Sequence, residues 1–306
     1  MTTDVTVVVA TRNRRHQLLE TLARHAAPVI VVDNGSTDGT PAAVRAAFPD
    51  IRVIELGRNA GAGAARNAGV GAADTPFVAF ADDDSYWAPG ALERAVALLH
   101  AHPGTALLAA RVLVGPERRL DPICPAMAAA PLGTAPGAPG PTVLGFLGCA
   151  VVLRREAYRR VGGFTERLGT YGEEALLAMD LAAAGWNLAY VPELVAHHLP
   201  QPDGRDPGAR TRVEARNRLL TAALRRPGRV VLGEVVRAWR APRQRAALVD
   251  VARELGWALR HRRPLPSDVE RDLAVLEHDG GGRPDHIADT PTAPGRTAVA
   301  AGRIDG

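Results

Sequence analysis

Short runs of β-branched and small apolar residues alternate with amphipathic stretches through the first third of the chain. Apolar runs of roughly four to eight residues have the length of buried strands, and the longer amphipathic stretches have the length of helices. The predicted elements are, in chain order, a strand over 5–10, a helix over 16–25, a strand over 29–32, a helix over 41–48 and a strand over 52–56. Such alternation is typical of βαβ units and predicts an α/β fold with a mostly parallel sheet.

The alternation continues into the middle of the chain and is then interrupted. The run PFVAFA at 76–81 predicts a strand that ends directly before Asp82, and a helix over 88–100 and a strand over 106–114 follow it. Segment 116–141 is dense in Pro and Gly, which predicts a mobile loop without a regular element. Beyond this loop we expect the remaining elements: a strand over 143–153, helices over 155–161 and 173–184, and a short strand over 187–191.

The last third differs in both charge and pattern. Residues 210–263 have helical periodicity and carry 15 arginines against four acidic residues, a net charge of +11 in a chain of net charge +4. We therefore predict three parts: a domain over 1–205, a basic helical appendage over 206–279 and a disordered tail over 280–306. Nucleic-acid binding is disfavoured for the basic part, because it lacks interleaved aromatic residues or a recognisable motif.

Other protein classes are disfavoured by simple counts. The two cysteines, Cys124 and Cys149, are too few for a disulfide framework or for a metal site with the usual spacing. The N-terminal residues lack the basic region of a signal peptide, and the longest apolar run, at 142–153, is shorter than the roughly 20 residues that span a bilayer. We expect a soluble cytoplasmic protein.

Three consecutive carboxylates follow the predicted strand at 76–81. Asp82, Asp83 and Asp84 would repel one another unless a cation shared them. Oxygen ligands suit Mg²⁺ or Mn²⁺, which bind through one or two carboxylates together with substrate phosphates. An exposed acidic turn is the alternative, although the carboxyl ends of parallel strands are where open α/β sheets bind ligands.

Four motifs together resemble the family 2 glycosyltransferases of GT-A fold. They are VVVATRNR at 7–14, VVDNGSTDGT at 31–40, GRNAGAGAARNAGV at 57–70 and the carboxylates at 82–84, which fall where that family carries its DxD motif. The resemblance covers about residues 5–200. It implies a Rossmann-like, mostly parallel central sheet flanked by helices, a nucleotide-sugar donor, and Mg²⁺ or Mn²⁺ as the cofactor.

The first two motifs are similar to the donor-binding turns of that family. Thr11 and Arg12 fall in the turn after the first strand, which contacts the donor. Asp33 and Asn34 fall in the loop that holds the nucleotide base, which makes Asp33 a candidate partner of uracil or thymine. An Asx-turn with a helix cap is the alternative interpretation of the same residues.

The glycine-rich third motif admits two interpretations. Arg66 and Asn67, expected to open a helix after the glycines, would meet the donor diphosphate with a guanidinium and a helix N-terminus. Gly61 and Gly63 also begin a dinucleotide-binding GxGxxG pattern, but Arg66 stands in place of its third glycine. The segment also follows the second βα unit rather than the first, which disfavours a nicotinamide dehydrogenase.

The resemblance assigns the carboxylates of the fourth motif partly to donor binding and partly to metal binding. Asp82 would contact the ribose or the metal, Asp84 would ligate the metal, and Asp83 is grouped with the donor-binding residues or only supports the turn. Family members often carry a histidine near the end of this domain that completes metal or diphosphate binding. His198 fits that pattern better than His197.

The remaining site residues are assigned by the segments 145–164 and 171–186. The first resembles the strand and hairpin on the acceptor side, where Gly148 would allow close approach of the sugar, and Trp186 closes the second segment on the same side. Glu173 and Glu174 align with the acidic pair whose second member is the general base of inverting members, so Glu174 is preferred. Alternatively, the two carboxylates only complement the dipole of a helix at its N-terminus.

The predicted function is metal-dependent glycosyl transfer with inversion, from a UDP- or dTDP-sugar to a hydroxyl of a glycan, a lipid-linked or a small-molecule acceptor. A catalytically silent binding module of the same fold and a nucleotidyltransferase are the alternatives. The Arg-rich helices would suit peripheral contact with anionic lipid on the inner face of the membrane if the acceptor is lipid-linked. A solvated helical face is the alternative for them.

Overall fold

The computed structural model describes residues 4–201 and 206–278, and its framework is one mixed sheet. The strands of these described residues are β1 (Val5–Thr11), β2 (Val29–Asp33), β3 (Arg52–Glu55), β4 (Phe77–Asp82), β5 (Ser85–Trp87), β6 (Thr105–Val114), β7 (Arg119–Leu120), β8 (Val151–Arg154) and β9 (Asn187–His198). They are ordered β3-β2-β1-β4-β8-β6-β9-β5, with β7 paired to β6. The predicted α/β fold is confirmed.

Helices connect and cover the strands. They are α1 (Arg15–Leu22), α2 (Thr40–Ala47), α3 (Ala62–Ala72), α4 (Ala91–Ala101), α5 (Ile123–Ala129), α6 (Arg155–Val161), α7 (Glu173–Ala183), α8 (Pro207–Arg225), α9 (Gly228–Arg240), α10 (Arg245–Arg260) and α11 (Ser267–His278). Strand order moves outward from β1 through β2 to β3 and then returns to β4. Right-handed crossovers therefore place α1 and α2 on one face of the sheet and α3 on the other.

The parallel half of the sheet aligns the first, second and fourth motifs at the ends of their strands. In the register of β1 with its neighbours, Thr11 lies opposite Asp33 of β2, and Ala10 lies opposite Asp82 of β4. All three strands consist almost wholly of buried Val, Ala, Ile and Phe, because both sheet faces are covered. The polar side chains that follow each run therefore emerge together at the carboxyl edge.

The second half of the sheet brings a long strand to the same edge. The strand predicted over 187–191 continues as β9 to His198 beside β6, with a register irregularity between Ala110 and Arg111 where Pro192 and its neighbours are accommodated. The far end of β9 pairs antiparallel with β5, so that His198 lies opposite Ser85. This pairing brings a histidine beside the acidic motif from more than a hundred residues away.

Three predicted boundaries are wrong. Segment 116–141 contains α5, because Cys124 and Met127, three residues apart, bury one side of an Ala-rich turn. The strand predicted over 143–153 is formed only at β8, since the residues before it pass through a glycine-containing loop. Helix α3 begins at Ala62, one turn earlier than expected, so Arg66 lies inside the helix rather than at its N-terminus.

The C-terminal helices pack on α7 and on the segment before it. Leu168 and Leu176 are buried with Leu220 and Leu224 of α8, and a second small cluster joins Met179 of α7 to α11. No helix within the described residues has the length and apolarity to cross a membrane. The predicted boundary at residue 205 stays a prediction, and the predicted tail over 280–306 lies outside the described residues.

Candidate active site

The loops after β1 and β2 are fastened to each other at the carboxyl edge. The backbone N–H of Asn13 donates to Ser36 Oγ at 2.9 Å, and Asn13 Oδ1 accepts from the N–H of Thr37 at 2.7 Å. Asn13 has a φ of +56°, a conformation that Asn tolerates better than most residues. Sequence analysis missed Asn13, although an Asn in the TRNR turn is a usable signal. Arg12, beside it, is exposed.

Asp33 combines a turn-forming oxygen with an oxygen that has no partner. Its Oδ2 accepts from the N–H groups of Gly35 and Ser36 at 3.2 and 3.0 Å, so the Asx-turn exists. Its Oδ1 is buried and has no hydrogen-bond partner among the described residues. A buried carboxylate oxygen without a partner is costly, which favours a ligand N–H as its missing donor. Asn34 extends the loop by accepting from Ala60 N–H at 2.7 Å.

The middle carboxylate of the acidic motif is tied to β1. Thr11 Oγ1 donates to Asp83 Oδ2 at 2.9 Å, and Thr21 Oγ1 donates to the Asp83 carbonyl oxygen at 2.9 Å. Burial, together with the charges of Asp84 and Asp82, raises the pKa of Asp83 to about 7. These contacts fit a turn-supporting role for Asp83, and they occupy Thr11 as well.

The third carboxylate faces the histidine at the end of β9. Asp84 Oδ1 and His198 Nε2 lie 3.3 Å apart, and the Asp84 carbonyl oxygen accepts from Leu199 N–H at 2.7 Å. Burial alone would raise the pKa of Asp84 and lower that of His198. Their mutual hydrogen bond and charges reverse both directions, so Asp84 is lowered and His198 is raised. The two side chains therefore stabilise each other's charged forms.

The Asp84–His198 pair is suited to a divalent cation that takes most of its ligands from the bound substrate. One carboxylate oxygen and one imidazole nitrogen are converging donors, and Mn²⁺ accepts both types. Among residues 4–201 and 206–278, no cluster of three or more His, Cys, Asp or Glu side chains is arranged to hold a metal. Mg²⁺ sites commonly take their remaining ligands from substrate phosphates and water.

Asp82 is joined to the acidic pair of α7 by one buried arginine. Arg66 Nη2 donates to Asp82 Oδ1 at 2.9 Å, and Nη1 lies 3.2 Å from Glu173 Oε1 and 3.8 Å from Glu174 Oε1. Burial alone would lower the pKa of Arg66, but the three carboxylates raise it above its ordinary value. The guanidinium is therefore permanently charged, and it links Asp82 to the acidic pair Glu173 and Glu174.

The two glutamates differ in exposure. The Glu173 side chain is 2% exposed, and its Oε2 has no partner among the described residues, whereas the Glu174 side chain is 22% exposed. Burial raises the pKa of both carboxyls, and repulsion from Glu174 adds to the effect on Glu173. Arg66 acts in the opposite direction on both. Glu174 is thus the member of the pair that solvent reaches.

The Arg66 guanidinium occupies a narrow slot that Gly148 keeps open. It lies 5.7 and 5.5 Å from the ring centroids of Phe80 and Phe164. A Cβ atom at Gly148 would lie only 2.5 to 2.8 Å from its nitrogens and Cζ. The structure therefore shows close approach by Arg66 at Gly148, where a sugar had been expected, and the acceptor-side role of Gly148 stays a prediction.

Replacing Gly148 with alanine is expected to lower the transfer rate about tenfold to a hundredfold, because the methyl group would displace Arg66 from Asp82 and Glu173. Gly145→Ala is the matched control, since a Cβ there has no neighbour within 4 Å. Nucleoside diphosphate release by the two variants measures the difference. Equal rates would show that the Arg66 position does not matter for the reaction.

Asn67 makes contacts other than those predicted, and Trp186 lies far from His198. Asn67 Oδ1 accepts from the Tyr158 hydroxyl and from Phe164 N–H, and its Nδ2 donates to the Phe164 carbonyl oxygen, so this side chain fastens α3 to a turn instead of meeting a diphosphate. Trp186 precedes the first residue of β9, roughly 30 Å along the strand from His198. The acceptor-side role of Trp186 stays a prediction.

The glycine-rich segment packs against the loop before α7. A Cβ at Gly61 would lie 2.7 Å from Gly169 Cα, Gly63 N–H donates to the Gly169 carbonyl oxygen at 3.1 Å, and Ala62 N–H donates to Thr170 Oγ1 at 3.1 Å. These glycines allow close contact between the backbone at the N-terminus of α3 and the loop before α7. The contact positions Arg66 relative to Glu173, and no dinucleotide is needed to explain the pattern.

A single side chain of α8 holds the same loop from the other side. Asn217 is fully buried, and its Nδ2 donates to the carbonyl oxygens of Leu168, Thr170 and Tyr171 at 2.8, 3.1 and 2.8 Å. Tyr171 has a φ of +71°, so this loop needs external support to stay in place. Sequence analysis missed Asn217, because no local motif marks a mid-helix Asn as a loop anchor.

Truncating Asn217 to alanine is expected to cost about 2 to 4 kcal/mol of unfolding free energy and to lower kcat, because three loop carbonyls lose their donor. Thr221→Ala is the matched control one turn along the same helix. The Thr221 hydroxyl is buried without a partner among the described residues, so its removal should be nearly neutral. Chemical denaturation with parallel rate measurement tests both. Equal losses would show that the Asn217 amide has no special role.

Comparisons with known proteins agree with this geometry. The model of the family described as "Glycosyl transferase family 2" matches residues 6–162. The N-acetylglucosaminyl-diphospho-decaprenol L-rhamnosyltransferase of Mycobacterium tuberculosis is 29% identical over 252 residues, which cover 70% of this chain and 77% of that relative.

Solved structures of low sequence identity share the fold. Mannosyltransferase PcManGT from Pyrobaculum calidifontis, in complex with GDP-Man and Mn²⁺, aligns with a TM-score of 0.59 at 23% identity and covers 93% of this chain and 82% of its own. S. aureus TarS 1-349 in complex with UDP-GlcNAc aligns with a TM-score of 0.57 at 18% identity and covers 90% and 92%. In another S. aureus TarS structure, the match spans only 40% of that chain.

The family match covers half of the chain and includes all the strand ends that form the donor side of the site. The matches to solved structures also cover the second half of the chain. In that half, α7 brings the acidic pair to the site and β9 brings His198 to it. Sequence motifs, sheet register and the comparisons thus agree, and this chain belongs to glycosyl transferase family 2.

Proposed function

We propose that this glycosyltransferase moves a sugar from a uridine or thymidine diphosphate donor to an acceptor hydroxyl by one displacement with inversion. The observation that carries the proposal is the Arg66 bridge, which holds Asp82 on the donor side and the Glu173–Glu174 pair within one ion-pair network. In a single displacement, a base must face the acceptor while the leaving diphosphate is stabilised on the opposite side. Arg66 connects groups suited to both tasks.

The donor base is assigned to the loop after β2. Asp33 Oδ1 is buried without a partner among the described residues, and it lies at a strand end beside Thr11. The ring N–H of uracil or thymine is a donor that this oxygen lacks. The UDP-GlcNAc bound by TarS supports a uridine donor on this fold, whereas the GDP-Man bound by PcManGT shows that the fold admits other bases.

A divalent cation, Mg²⁺ or Mn²⁺, is assigned to Asp84 and His198, with Asp82 nearer the ribose. Asp82 is held by Arg66, which leaves the Asp84–His198 pair as the better-placed donor set. The Mn²⁺ in PcManGT supports this assignment. When bound, the cation would supply positive charge that stabilises the departing diphosphate. Arg12, exposed on the neighbouring loop, is assigned to the donor phosphates.

Glu174 is assigned as the general base, because its carboxylate is accessible while that of Glu173 is buried against Arg66. Glu173 then positions Arg66. Burial raises the pKa of both carboxyls, which makes each a stronger proton acceptor than an exposed glutamate. The acceptor hydroxyl would lose its proton to Glu174 as it attacks the anomeric carbon.

The acceptor is assigned as a lipid-linked glycan. This assignment rests on the M. tuberculosis relative, whose name specifies a diphospho-decaprenol acceptor and which matches over 70% of this chain. A glycan or small molecule free in solution is the alternative acceptor class.

The test is incubation of the purified chain with Mn²⁺ and a panel of UDP-, dTDP- and GDP-sugars, followed by detection of nucleoside diphosphate. Product NMR with an accepted acceptor then gives the anomeric configuration, and retention would refute the single displacement. Release of pyrophosphate would identify a nucleotidyltransferase. Donor binding without turnover in the presence of every acceptor class would identify a silent binding module.

A further inference from the structure

Helix α9 turns an apolar face toward solvent. Leu232, Val235, Val236 and Trp239 are 65%, 37%, 38% and 65% exposed, and their spacing places them on one side of the helix. Ala238 lies on the opposite side and is fully buried. A helix of a globular protein normally directs such a stripe into the core, so this surface, named here the α9 outer face, lacks an apolar partner.

Unpaired arginines border the α9 outer face. Arg229 and Arg240, near the two ends of α9, are exposed, and within residues 4–201 and 206–278 neither has an acidic side chain within ion-pair distance. The acid of the same helix, Glu234, is 14% exposed and already held by Arg218 at 2.6 Å. Positive charge that no acidic side chain of the described residues neutralises therefore accompanies the apolar face.

We propose that the α9 outer face docks on the surface of an anionic lipid bilayer. Helices that lie in a membrane interface combine a short apolar stripe that includes Trp with flanking Arg or Lys, and each basic residue near an anionic surface strengthens binding about fivefold. A second copy of the chain is a poorer occupant, because two-fold pairing through this face would bring like-charged arginines together. The lipid surface satisfies both the apolar side chains and the charges.

Contacts at the start of α8 relate one end of α9 to the acidic pair. Arg243, three residues after α9, shares a surface hollow with Asp206 and Arg212 at the start of α8. Arg210, in the same turns of α8, stacks over Tyr171 at 5.0 Å from the ring centroid. Tyr171 lies two residues before Glu173. These contacts connect the Trp239 end of α9, through the start of α8, to the segment that precedes the acidic pair.

The inference goes beyond the proposed transfer reaction, and its test needs neither donor nor acceptor. The full chain is sedimented with vesicles of phosphatidylcholine alone and of phosphatidylcholine with about a third phosphatidylglycerol. We expect recovery with the anionic vesicles only, decreasing as salt is added. The double variant Leu232→Ser/Trp239→Ser should weaken this binding about tenfold or more, and Arg229→Gln/Arg240→Gln to a similar extent.

Leu120→Ser/Val275→Ser is the matched control, because it removes two exposed apolar side chains on β7 and α11 and should leave binding unchanged. Circular dichroism verifies the folding of each variant. Equal recovery with neutral vesicles, or unchanged binding by the α9 variants, would overturn the proposal. A dimer in analytical ultracentrifugation that the α9 variants dissociate, without vesicle binding by the wild type, would assign the face to a second copy instead.

Discussion

Replacing Asp84 with asparagine is expected to lower kcat/KM about a thousandfold. Asparagine keeps the shape of the side chain but removes the negative charge that lies 3.3 Å from His198 Nε2. A bound metal ion supplies several kcal/mol of transition-state stabilisation, and each 1.4 kcal/mol is about tenfold in rate. Nucleoside diphosphate release over a range of Mn²⁺ concentrations measures the loss.

Asp83→Asn is the control for that substitution. Its carboxyl has a pKa of about 7 and accepts a hydrogen bond from Thr11, so an amide resembles the protonated form that already exists. We expect only a small decrease in rate for this variant. In the presence of a nucleoside diphosphate, Mn²⁺ followed by electron paramagnetic resonance should bind to the Asp83 variant but not to the Asp84 variant. An Asp84 variant with wild-type Mn²⁺ dependence would exclude Asp84 as a ligand.

Replacing Glu174 with glutamine is expected to lower kcat about a hundredfold to ten-thousandfold while leaving donor affinity nearly unchanged. A positioned general base contributes about that factor, and the amide cannot accept the acceptor proton. Glu174 is the more exposed member of its pair and lies 3.8 Å from Arg66 Nη1. Rate measurement at saturating donor, with nucleoside diphosphate binding by calorimetry, separates chemistry from binding.

The pH profile gives this prediction a second measurement. The pKa of Glu174 is raised, so the ionised base forms only above that value and the wild-type rate should fall as pH decreases through it. The acidic limb should disappear in Glu174→Gln. Glu173→Gln, the matched control, keeps an oxygen for Arg66 and should retain the limb. The reverse outcome would assign the base to Glu173.

The donor side of the site was predictable because its determinants are local in sequence. Thr11, Asp33 and Asp82 each follow a run of buried apolar residues, and parallel pairing brings the carboxyl ends of such runs to one edge. Period and composition therefore predict where these side chains lie without any knowledge of packing. His198 was predicted from the family resemblance instead, and the strand that carries it is longer than expected.

The sequence does not show where a side chain is used for packing between distant elements. Asn67 and Gly148 belong to motifs that resemble donor and acceptor contacts, and in the structure Asn67 binds Phe164 and Gly148 makes room for Arg66. In each case the partner is fixed by long-range contacts, which sequence spacing does not encode.

Some properties of the C-terminal helices are predictable from the sequence, and others depend on tertiary packing. Their basic charge and helical period can be read from the sequence, and the apolar stripe of α9 follows from its residue spacing once the helix is known. That Asn217 of α8 supports the loop before Glu173 is a matter of tertiary packing. So is the pairing of Asp180 with Arg225, whose Nη2 donates to Asp180 Oδ2 at 2.9 Å.

The sequence by itself determined the α/β fold, the family, the acidic motif and the donor edge, because strand period and motif order are local properties. Only the tertiary structure decided that Arg66 lies between Asp82 and the glutamates, that Asp84 meets His198, and that the apolar side of α9 faces solvent. The physical reason is that the environment and pairing of a charged side chain depend on every element packed around it. Burial and distance, rather than residue type, set those interactions.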